Sequence, residues 1–228
     1  MGNMYFHVVS YADDAVLISD SEDDLQRILH AFNQEAKSLN MLINTTKTKC
    51  MVTSKEPIRC KLEIDGKMVE QVREFTYLGA DITSDGDLKR EVRNQTMKAS
   101  RISGFLQDIV WRNKYLNINS KVRIYKTAIR PIITYAAETR PDTARTTQIM
   151  STTEMRIIRR IHGKTLLDRV RNEELRERSG IQDVGKFVRQ RRKYWNKHIE
   201  RMSDNRLVKG ARQNKPTGKR TQGRPPKR

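Results

Sequence analysis

Two short apolar runs on either side of a pair of adjacent acids constrain the fold of this chain most strongly. Tyr5–Val9 and Ala15–Ser19 are rich in Val, Ile, Leu and aromatic residues, and the run Tyr11-Ala12-Asp13-Asp14 lies between them. Such runs around a tight polar link predict a β-hairpin. Its tip would carry two neighbouring carboxylates, which repel each other unless a cation lies beside them. Because Mg²⁺ binds carboxylate oxygens and assists phosphoryl transfer, the hairpin is a candidate metal site of a nucleotidyl transferase.

The acidic link also has a purely structural explanation. Asp side chains stabilise turns through local hydrogen bonds. A Tyr-x-Asp-Asp match also arises by chance in roughly a few chains of this length per hundred. The remainder of the chain has to decide between the two interpretations.

The residues after this hairpin predict a helix and further strands. Ser21 is a candidate N-cap, and apolar residues then recur at helical spacing: Leu25, Ile28, Leu29, Phe32, Ala36 and Leu39. Cys50–Thr53 reads as a strand, and the Asp-Gly pair within 62–69 predicts a second hairpin. Phe75–Gly79 is predicted to be a strand that ends at its glycine.

From residue 84 onwards the pattern becomes helical. Helices are predicted over 92–109, 122–136, 150–161, 171–178 and 184–202. Asn119 or Ser120 should cap the second of them, and Pro131 should kink it. Beyond Ser203 almost no apolar residues occur, so residues 204–228 are expected to be disordered. The sequence therefore predicts the α+β class.

The distribution of charge indicates a polyanionic partner. The net charge of the 228 residues is +19, and residues 151–228 carry 24 Lys and Arg against 8 Asp and Glu. A near-neutral first part followed by a basic part favours nucleic-acid binding. Two cysteines are too few for a disulfide framework, and neither a membrane span nor a signal peptide is seen. An intracellular location, nuclear or cytoplasmic, is expected.

Taken in order, these motifs resemble the second half of the palm domain of a reverse transcriptase. The run Tyr11-Ala12-Asp13-Asp14, the amphipathic helix, Ile43-Asn44 with Lys47-Thr48, and Phe75–Gly79 follow one another as in that family. The likeness is to non-LTR retrotransposon enzymes of the endonuclease-reverse transcriptase type. Tyr125–Thr139, Trp195–Met202 and Gly223–Arg228 also resemble segments of those proteins.

The resemblance implies a domain order and a partial palm. Residues 1–83 would form the C-terminal half of the palm, an antiparallel sheet with a helix. Residues 84–140 would form a thumb-like helical region. A basic helical region over 141–203 and a disordered basic tail over 204–228 would follow.

The resemblance also implies roles for individual residues. Asp13 and Asp14 would bind Mg²⁺, and Tyr11 would lie beside the primer end. Lys47 would be a catalytic cation near the triphosphate, although it could equally be a solvated loop residue. A larger set matches the primer grip, where Tyr77 and Leu78 are as easily explained as core residues: Phe75, Tyr77, Leu78 and Gly79.

Several departures from the family pattern qualify this interpretation. Asn40 and Ala136 stand where the family usually has Gly, and Arg140 stands where Trp is common. Residues 1–10 contain no Asp or Glu, so the further palm aspartate and the fingers are expected to be missing. Two carboxylates would then hold both metal ions poorly. We therefore expect the isolated chain to be inactive, as a C-terminal piece of a larger reading frame or a decayed remnant.

A run of cations with aromatic neighbours lies in the basic part. Arg189, Arg191, Arg192 and Lys193 precede Tyr194 and Trp195, and cations suit phosphates while aromatic rings stack on unpaired bases. The helical register instead favours inward packing of Trp195. Three cations of the tail suit minor-groove binding, nonspecific binding or nuclear import: Lys219, Arg220 and Arg224.

Three hypotheses follow. The chain is part of an RNA-directed DNA polymerase, with an RNA template, an RNA–DNA hybrid or DNA, a dNTP and the missing palm and fingers as partners. Alternatively, it is a non-catalytic nucleic-acid-binding protein derived from a retrotransposon. The third possibility is a non-functional remnant that does not fold stably, with an exposed sheet edge that promotes aggregation.

Overall fold

Short strands around one helix form the N-terminal part of the structure, and helices form the rest. The computed structural model describes residues 7–54 and 56–213. The strands are β1 (Val8–Tyr11), β2 (Asp14–Leu17), β3 (Lys49–Cys50), β4 (Glu63–Ile64), β5 (Lys67–Met68), β6 (Glu70–Gln71), β7 (Glu74–Tyr77) and β8 (Ala80–Thr83). The helices are α1 (Glu22–Ser38), α2 (Leu88–Phe105), α3 (Ile118–Ile124), α4 (Arg130–Ile133), α5 (Ala144–Ile161), α6 (Asn172–Ser179), α7 (Val184–Glu200) and α8 (Leu207–Gln213). The predicted α+β class is confirmed.

The first hairpin and the first helix form as predicted. β1 and β2 pair antiparallel, with Val8 opposite Leu17 and Tyr11 opposite Asp14. Ser21 caps α1 by accepting a hydrogen bond from the backbone N–H of Asp24. The apolar face of α1 packs Leu29 against a small core, whereas Leu39 at the C-cap is exposed. The helix ends at Ser38, so Leu39, the last residue of the predicted apolar series, lies beyond the helix and is not buried.

A small core holds the N-terminal part together. Its buried members are Leu29, Cys50, Cys60, Leu62, Ile64 and Val69. β3 and β6 pair in parallel. β3 corresponds to the strand predicted over Cys50–Thr53, but it is shorter and begins one residue earlier. β4 and β5 form the predicted hairpin, in which Asp65 and Gly66 both have positive φ. Asp-Gly is the pair that adopts such a turn most readily.

The segment Phe75–Gly79 is part of a hairpin rather than a lone strand. β7 pairs antiparallel with β8, with Tyr77 opposite Ala80. Leu78 and Gly79 form the two-residue turn and have φ of 48° and 78°. The predicted strand Phe75–Gly79 is therefore confirmed for Phe75–Tyr77 only, because the chain reverses at Leu78 and Gly79 and pairs with itself.

A second, larger core lies among the helices. It contains the completely buried side chains of Val92, Tyr125, Ile129, Ile133, Ile158, Leu175 and Val184, among others. α2 and α5 pack along each other at its centre. The helix predicted over 92–109 becomes a π-helical segment at Gln107–Trp111, and Ile109 there is 70% exposed. The wider π turn rotates Ile109 out of the face that Val92 and Ala99 bury.

The helix predicted over 122–136 is also interrupted. Asn117, and not Asn119 or Ser120, caps α3 by accepting from the N–H of Ser120. A π-helical segment, Tyr125–Ile129, lies directly before Pro131 near the start of α4. Pro131 lacks the N–H that a continuous helix needs, which agrees with the predicted disruption.

The last helices follow the sequence pattern closely, and the tail does not. α5 ends before Gly163, and α6 ends at Gly180, which has φ of 54°. The prediction of disorder from residue 204 is wrong over α8. Arg212 ties this helix to α7 by donating to the carbonyl of Asn196, and Lys209 donates to the carbonyl of Met202 in the segment that follows α7. The remaining predicted tail, with Lys219, Arg220 and Arg224, lies outside the described residues.

Candidate functional site

The two adjacent acids lie at the tip of the β1–β2 hairpin. Ala12 and Asp13 form its two-residue turn, and Asp14 begins β2. Ala12 has φ of 52°, a conformation that glycine adopts freely and that costs an alanine about 1–2 kcal/mol. Tyr11, Asp13 and Asp14 are all exposed. The backbone thus accepts a strained turn that presents both carboxylates to solvent.

The carboxylates of Asp13 and Asp14 are suitable ligands for a hard cation, but two carboxylates do not fill its coordination sphere. Mg²⁺ is commonly held by one or two carboxylates together with water and substrate phosphates. Across residues 7–54 and 56–213, no cluster of three His, Cys, Asp or Glu side chains suits a metal ion. The stretches outside that description contain none of these four residue types. Within the described residues, no third acidic side chain is therefore clustered with Asp13 and Asp14.

Lys47 lies in a loop that Asn44 organises. The Asn44 Oδ1 atom accepts hydrogen bonds from the N–H groups of Thr46 and Lys47, both at 3.1 Å. Side chains of this type stabilise turns in this way. Lys47 itself is exposed, and in the described part of the chain no ion pair joins it to Asp13 or Asp14. Its role beside a triphosphate stays a prediction.

The turn of the β7–β8 hairpin is fixed by two side chains from the helical part. The Tyr135 hydroxyl donates to the carbonyl of Leu78 at 2.6 Å, and Gln95 Nε2 donates to the carbonyl of Gly79 at 3.0 Å. A Cβ on Gly79 would lie 3.4 Å from the Tyr135 hydroxyl oxygen. Sequence reasoning missed Gln95 and Tyr135, which lie 16 and 57 residues from their partners.

The predicted primer-grip residues present an apolar surface. Phe75 and Leu78 are exposed, and Tyr77 is half-buried. The alternative interpretation of Leu78 as a core residue is therefore wrong, because Leu78 lies in the turn of the hairpin and belongs to neither core.

The departures from the family pattern have a clear structural meaning at three positions. Asn40 and Ala136 have φ of 57° and 51°, so both adopt the left-handed conformation that glycine adopts most easily. Arg140 is buried, with its guanidinium 3.8 Å from the carboxylate of Glu91. Burial lowers the pKa of Arg140 from its ordinary value. Arg140 is thus a buried cation at the position where the resemblance leads to an expectation of Trp.

The cations of α7 have two different roles. Arg189 and Lys193 are exposed, whereas Arg191 is paired with Glu138. Arg192 is not available for phosphate, which corrects the prediction. Its guanidinium makes a bidentate pair with Asp142 at 2.9 and 3.1 Å and donates to the carbonyls of Ala137 and Arg140.

Trp195 is half-buried, with its ring 5.6 Å from that of His198. Trp195 is therefore neither fully packed inward nor fully exposed for stacking on a base. No helix among the described residues is both long enough and apolar enough to cross a membrane. Of the four cations of α7 that the sequence assigned to nucleic-acid binding, Arg189 and Lys193 are exposed, while Arg191 is paired with Glu138.

Known proteins are similar to this chain along much of its length. Residues 3–82 match the family of reverse transcriptases (RNA-dependent DNA polymerases). The chain is 25% identical to an uncharacterised transposon-derived protein of Caenorhabditis elegans, over 86% of this chain and 72% of that protein. It is 29% identical to the RNA-directed DNA polymerase from the mobile element jockey of Drosophila funebris, over 73% of this chain and 19% of that polymerase.

A second jockey polymerase, from Drosophila melanogaster, is 26% identical over 58% of this chain and 15% of its own length. The chain thus spans less than a fifth of either jockey polymerase that it matches. No solved structure matches it at a significant level.

Proposed function

We propose that this chain, a relative of the reverse transcriptases of non-LTR retrotransposons, supplies two metal-binding carboxylates and the primer-side surface of an RNA-directed DNA polymerase. The predicted resemblance to that family is confirmed, and a template nucleic acid and a dNTP are the partners that the family implies. The observation that carries the proposal is the β1–β2 hairpin, whose tip holds Asp13 and Asp14 in solvent.

The hairpin tip supports a metal-binding role through its geometry. Reverse transcriptases use divalent ions, and we propose Mg²⁺ for this chain because carboxylate oxygens are its preferred protein ligands. Such an ion would stabilise negative charge on the reacting phosphate. Asp13 and Asp14 would orient the ion, and Lys47 would lie near the triphosphate. Since no third acid is clustered with them in the described residues, we propose that the isolated chain does not polymerise DNA.

The β7–β8 hairpin is proposed to hold the primer end. Phe75 and Leu78 offer exposed apolar groups, and the hydrogen bonds from Gln95 and Tyr135 hold the turn in one conformation. A rigid surface positions a primer better than a mobile one. Tyr11, which is 65% exposed at the end of β1, would contribute the floor beside the primer terminus.

The domain division also belongs to this proposal. Residues 1–83 would act as the C-terminal half of a palm, 84–140 as a thumb-like region and 141–203 as a basic helical region. The RNA template, the RNA–DNA hybrid or the product DNA would contact the last two regions. An intracellular location, nuclear or cytoplasmic, fits these partners.

The proposal is tested by primer extension on a primed RNA template with Mg²⁺. The isolated chain is expected to give no product. A fusion of this chain behind the portion of the Drosophila funebris polymerase that precedes its aligned segment is expected to extend the primer. Asp13→Ala and Asp14→Ala should each lower extension by the fusion about a hundredfold or more, because the bound ion contributes several kcal/mol to the transition state.

Asp20→Ala is the matched control, since Asp20 is an exposed acid outside the hairpin tip. It should leave extension unchanged. Equal extension by the fusion with and without Asp13 and Asp14 would overturn the metal-binding proposal. Extension by the isolated chain would overturn the proposal that it needs a further carboxylate.

A second candidate function is nucleic-acid binding without catalysis. The net charge of +16 on residues 151–228 and the exposed Arg189 and Lys193 favour it. Phosphate contacts of this kind give binding that weakens steeply with salt. A chain that binds RNA and never supports extension in the fusion would follow this second function.

A further inference from the structure

A cleft of about 390 Å³ lies in the helical part, away from the β1–β2 hairpin. The π-helical segment before α4 forms one side, the connection between α6 and α7 forms another, and α7 forms the third. Its lining includes three cations and two aromatic rings: Lys126, Arg130, Arg191, Phe187 and Tyr194. The volume lies within the range of small-ligand sites. The cleft can therefore accept a group the size of a nucleotide.

Arg130 gives the cleft a fixed cation. Only 8% of its side chain is exposed, and its guanidinium lies 4.0 Å above the centre of the Phe187 ring. The guanidinium donates to the carbonyl of Gln182 and lies 3.7 Å from Glu154. Its Nε–H group has no hydrogen-bond partner among the described residues. Buried donors are normally satisfied, so this side chain retains unused capacity for an acceptor.

Lys126 adds a cation that no acid neutralises within the described residues. Its Nζ donates to the carbonyl of Gly180 at 3.0 Å. A carbonyl orients the ammonium group without cancelling its charge. Arg191 is paired with Glu138, and Arg130 shares Glu154 with Arg176. Lys126 is therefore the cation of the cleft best able to bind a phosphate.

Tyr194 provides an aromatic surface at the rim. The residue is 63% exposed, and its hydroxyl accepts a hydrogen bond from Gln190 Nε2 at 3.3 Å. Phe187 cannot serve in the same way on the face that Arg130 covers. An exposed ring beside cations is the arrangement with which proteins stack unpaired bases and hold the backbone next to them. A phosphate alone would use the cations and leave the ring without a role.

We propose that this cleft binds one unpaired nucleotide of a single-stranded nucleic acid, with the phosphate at Lys126 and Arg130 and the base stacked on Tyr194. The inference rests on the nucleic-acid role proposed for the thumb-like and basic helical regions, which line the cleft together, and it assigns to them a defined site. RNA and DNA share the phosphate and the base, so both strands are candidates. A duplex, whose bases are stacked internally, should not enter.

The test measures binding of the full chain to a fluorescent single-stranded oligouridine of about 12 nucleotides by anisotropy, at several salt concentrations. Tyr194→Ala should weaken binding at least about fivefold, and Tyr194→Phe should retain it, because stacking needs the ring and not the hydroxyl. Tyr115→Ala is the matched control, since Tyr115 is 98% exposed and lies outside the cleft. It should bind like the unmodified chain.

Lys126→Gln tests the phosphate contact. It should reduce the slope of log affinity against log salt by about 0.7, the value for one contact with a single-stranded backbone. Oligodeoxyuridine and a duplex of the same length separate the possible sources of the nucleotide. The site is supported if the affinity for either the RNA or the DNA single strand falls in Tyr194→Ala. It is overturned if the affinity for the duplex falls to the same extent.

A second measurement locates the contact directly. An oligonucleotide with 5-iodouridine, cross-linked by light to the unmodified chain, should label the peptide that contains Tyr194. Labelling confined to peptides outside the cleft would overturn the inference, as would single-strand binding that is unchanged in Tyr194→Ala. Both results leave the extension assay of the fusion untouched, because that assay depends on Asp13 and Asp14. Failure of the unmodified chain to bind any strand would overturn this inference together with the noncatalytic alternative.

Discussion

Replacing Arg192 by Gln should destabilise the helical part and leave nucleic-acid binding unchanged. The Arg192 guanidinium joins α7 to the segment after α4, through Asp142 and the carbonyls of Ala137 and Arg140. Gln has one amide in place of the planar fork, so it cannot make the bidentate pair and both carbonyl contacts together. Arg192 therefore stabilises the fold, although it lies among the cations of α7.

The expected loss follows from these contacts. Hydrogen bonds to a charged group contribute about 1.5–3 kcal/mol, and each neutral acceptor left unpaired adds about 1 kcal/mol. Gln can restore one of these bonds, and solvent reaches part of the site because a quarter of the Arg192 side chain is exposed. The net loss in the free energy of unfolding should be about 2–4 kcal/mol. In a chain of this length it corresponds to a fall in Tm of roughly 4–16 °C.

The assay is urea unfolding followed by helical circular dichroism and by tryptophan fluorescence. Arg189→Gln is the matched control, because Arg189 is an exposed arginine of the same helix, and its stability should stay within about 0.5 kcal/mol of the unmodified chain. Folded Arg192→Gln protein should bind oligouridine as the unmodified chain does. A loss of stability below about 1 kcal/mol, or weaker binding by the folded variant, would refute the structural role.

Two further changes test local features of the structure. Ala136→Gly should stabilise the chain by about 0.5–1 kcal/mol, because Ala136 has positive φ, whereas Ala137→Gly, at a buried residue of ordinary φ, should destabilise it by about 1–2 kcal/mol in the same urea assay. Equal losses in both variants would contradict the backbone argument. Cys50 and Cys60 are buried with their Sγ atoms 3.4 Å apart, and burial, followed by the hydrogen bond that the Cys50 thiol donates to Cys60, raises the pKa of Cys50 to about 12. Iodoacetamide at pH 8 should therefore alkylate the folded chain far more slowly than the urea-unfolded chain, and equal rates would contradict the buried pair.

Local signals in the sequence predicted the elements whose geometry is set within a few residues. The Asp65-Gly66 turn, the Ser21 cap and the Gly180 helix end each depend on the conformation of one or two residues. Asn117 was missed as a cap because Asn119 and Ser120 carry equally suitable side chains. The two π-helical segments were also not predicted from the sequence, since one extra residue in a turn changes the apolar periodicity only slightly.

The buried polar residues could not be predicted because their partners are distant in sequence. Glu154 is completely buried and accepts hydrogen bonds from the Tyr125 hydroxyl and the N–H of Val184, 29 and 30 residues away. Burial raises the pKa of Glu154 above its ordinary value, and these contacts and the nearby arginines offset only part of that rise. Helical periodicity identifies the apolar stripe and assigns every charged residue to solvent. The same limit explains why the sequence pattern predicts a phosphate contact for Arg192.

The proposed polymerase surface depends on residues beyond the stretch that matches reverse transcriptases. That match ends at residue 82, within β8, while the turn of the same hairpin is held by Gln95 of α2 and by Tyr135. Glu91 of α2 adds a third link by accepting from the N–H of Asp81 at 2.7 Å. Since Glu91 also pairs with the buried Arg140, the hairpin is connected through α2 to the larger core. The β7–β8 hairpin is therefore joined to the helical part at this surface, and the backbone conformation of its turn depends on side chains from both.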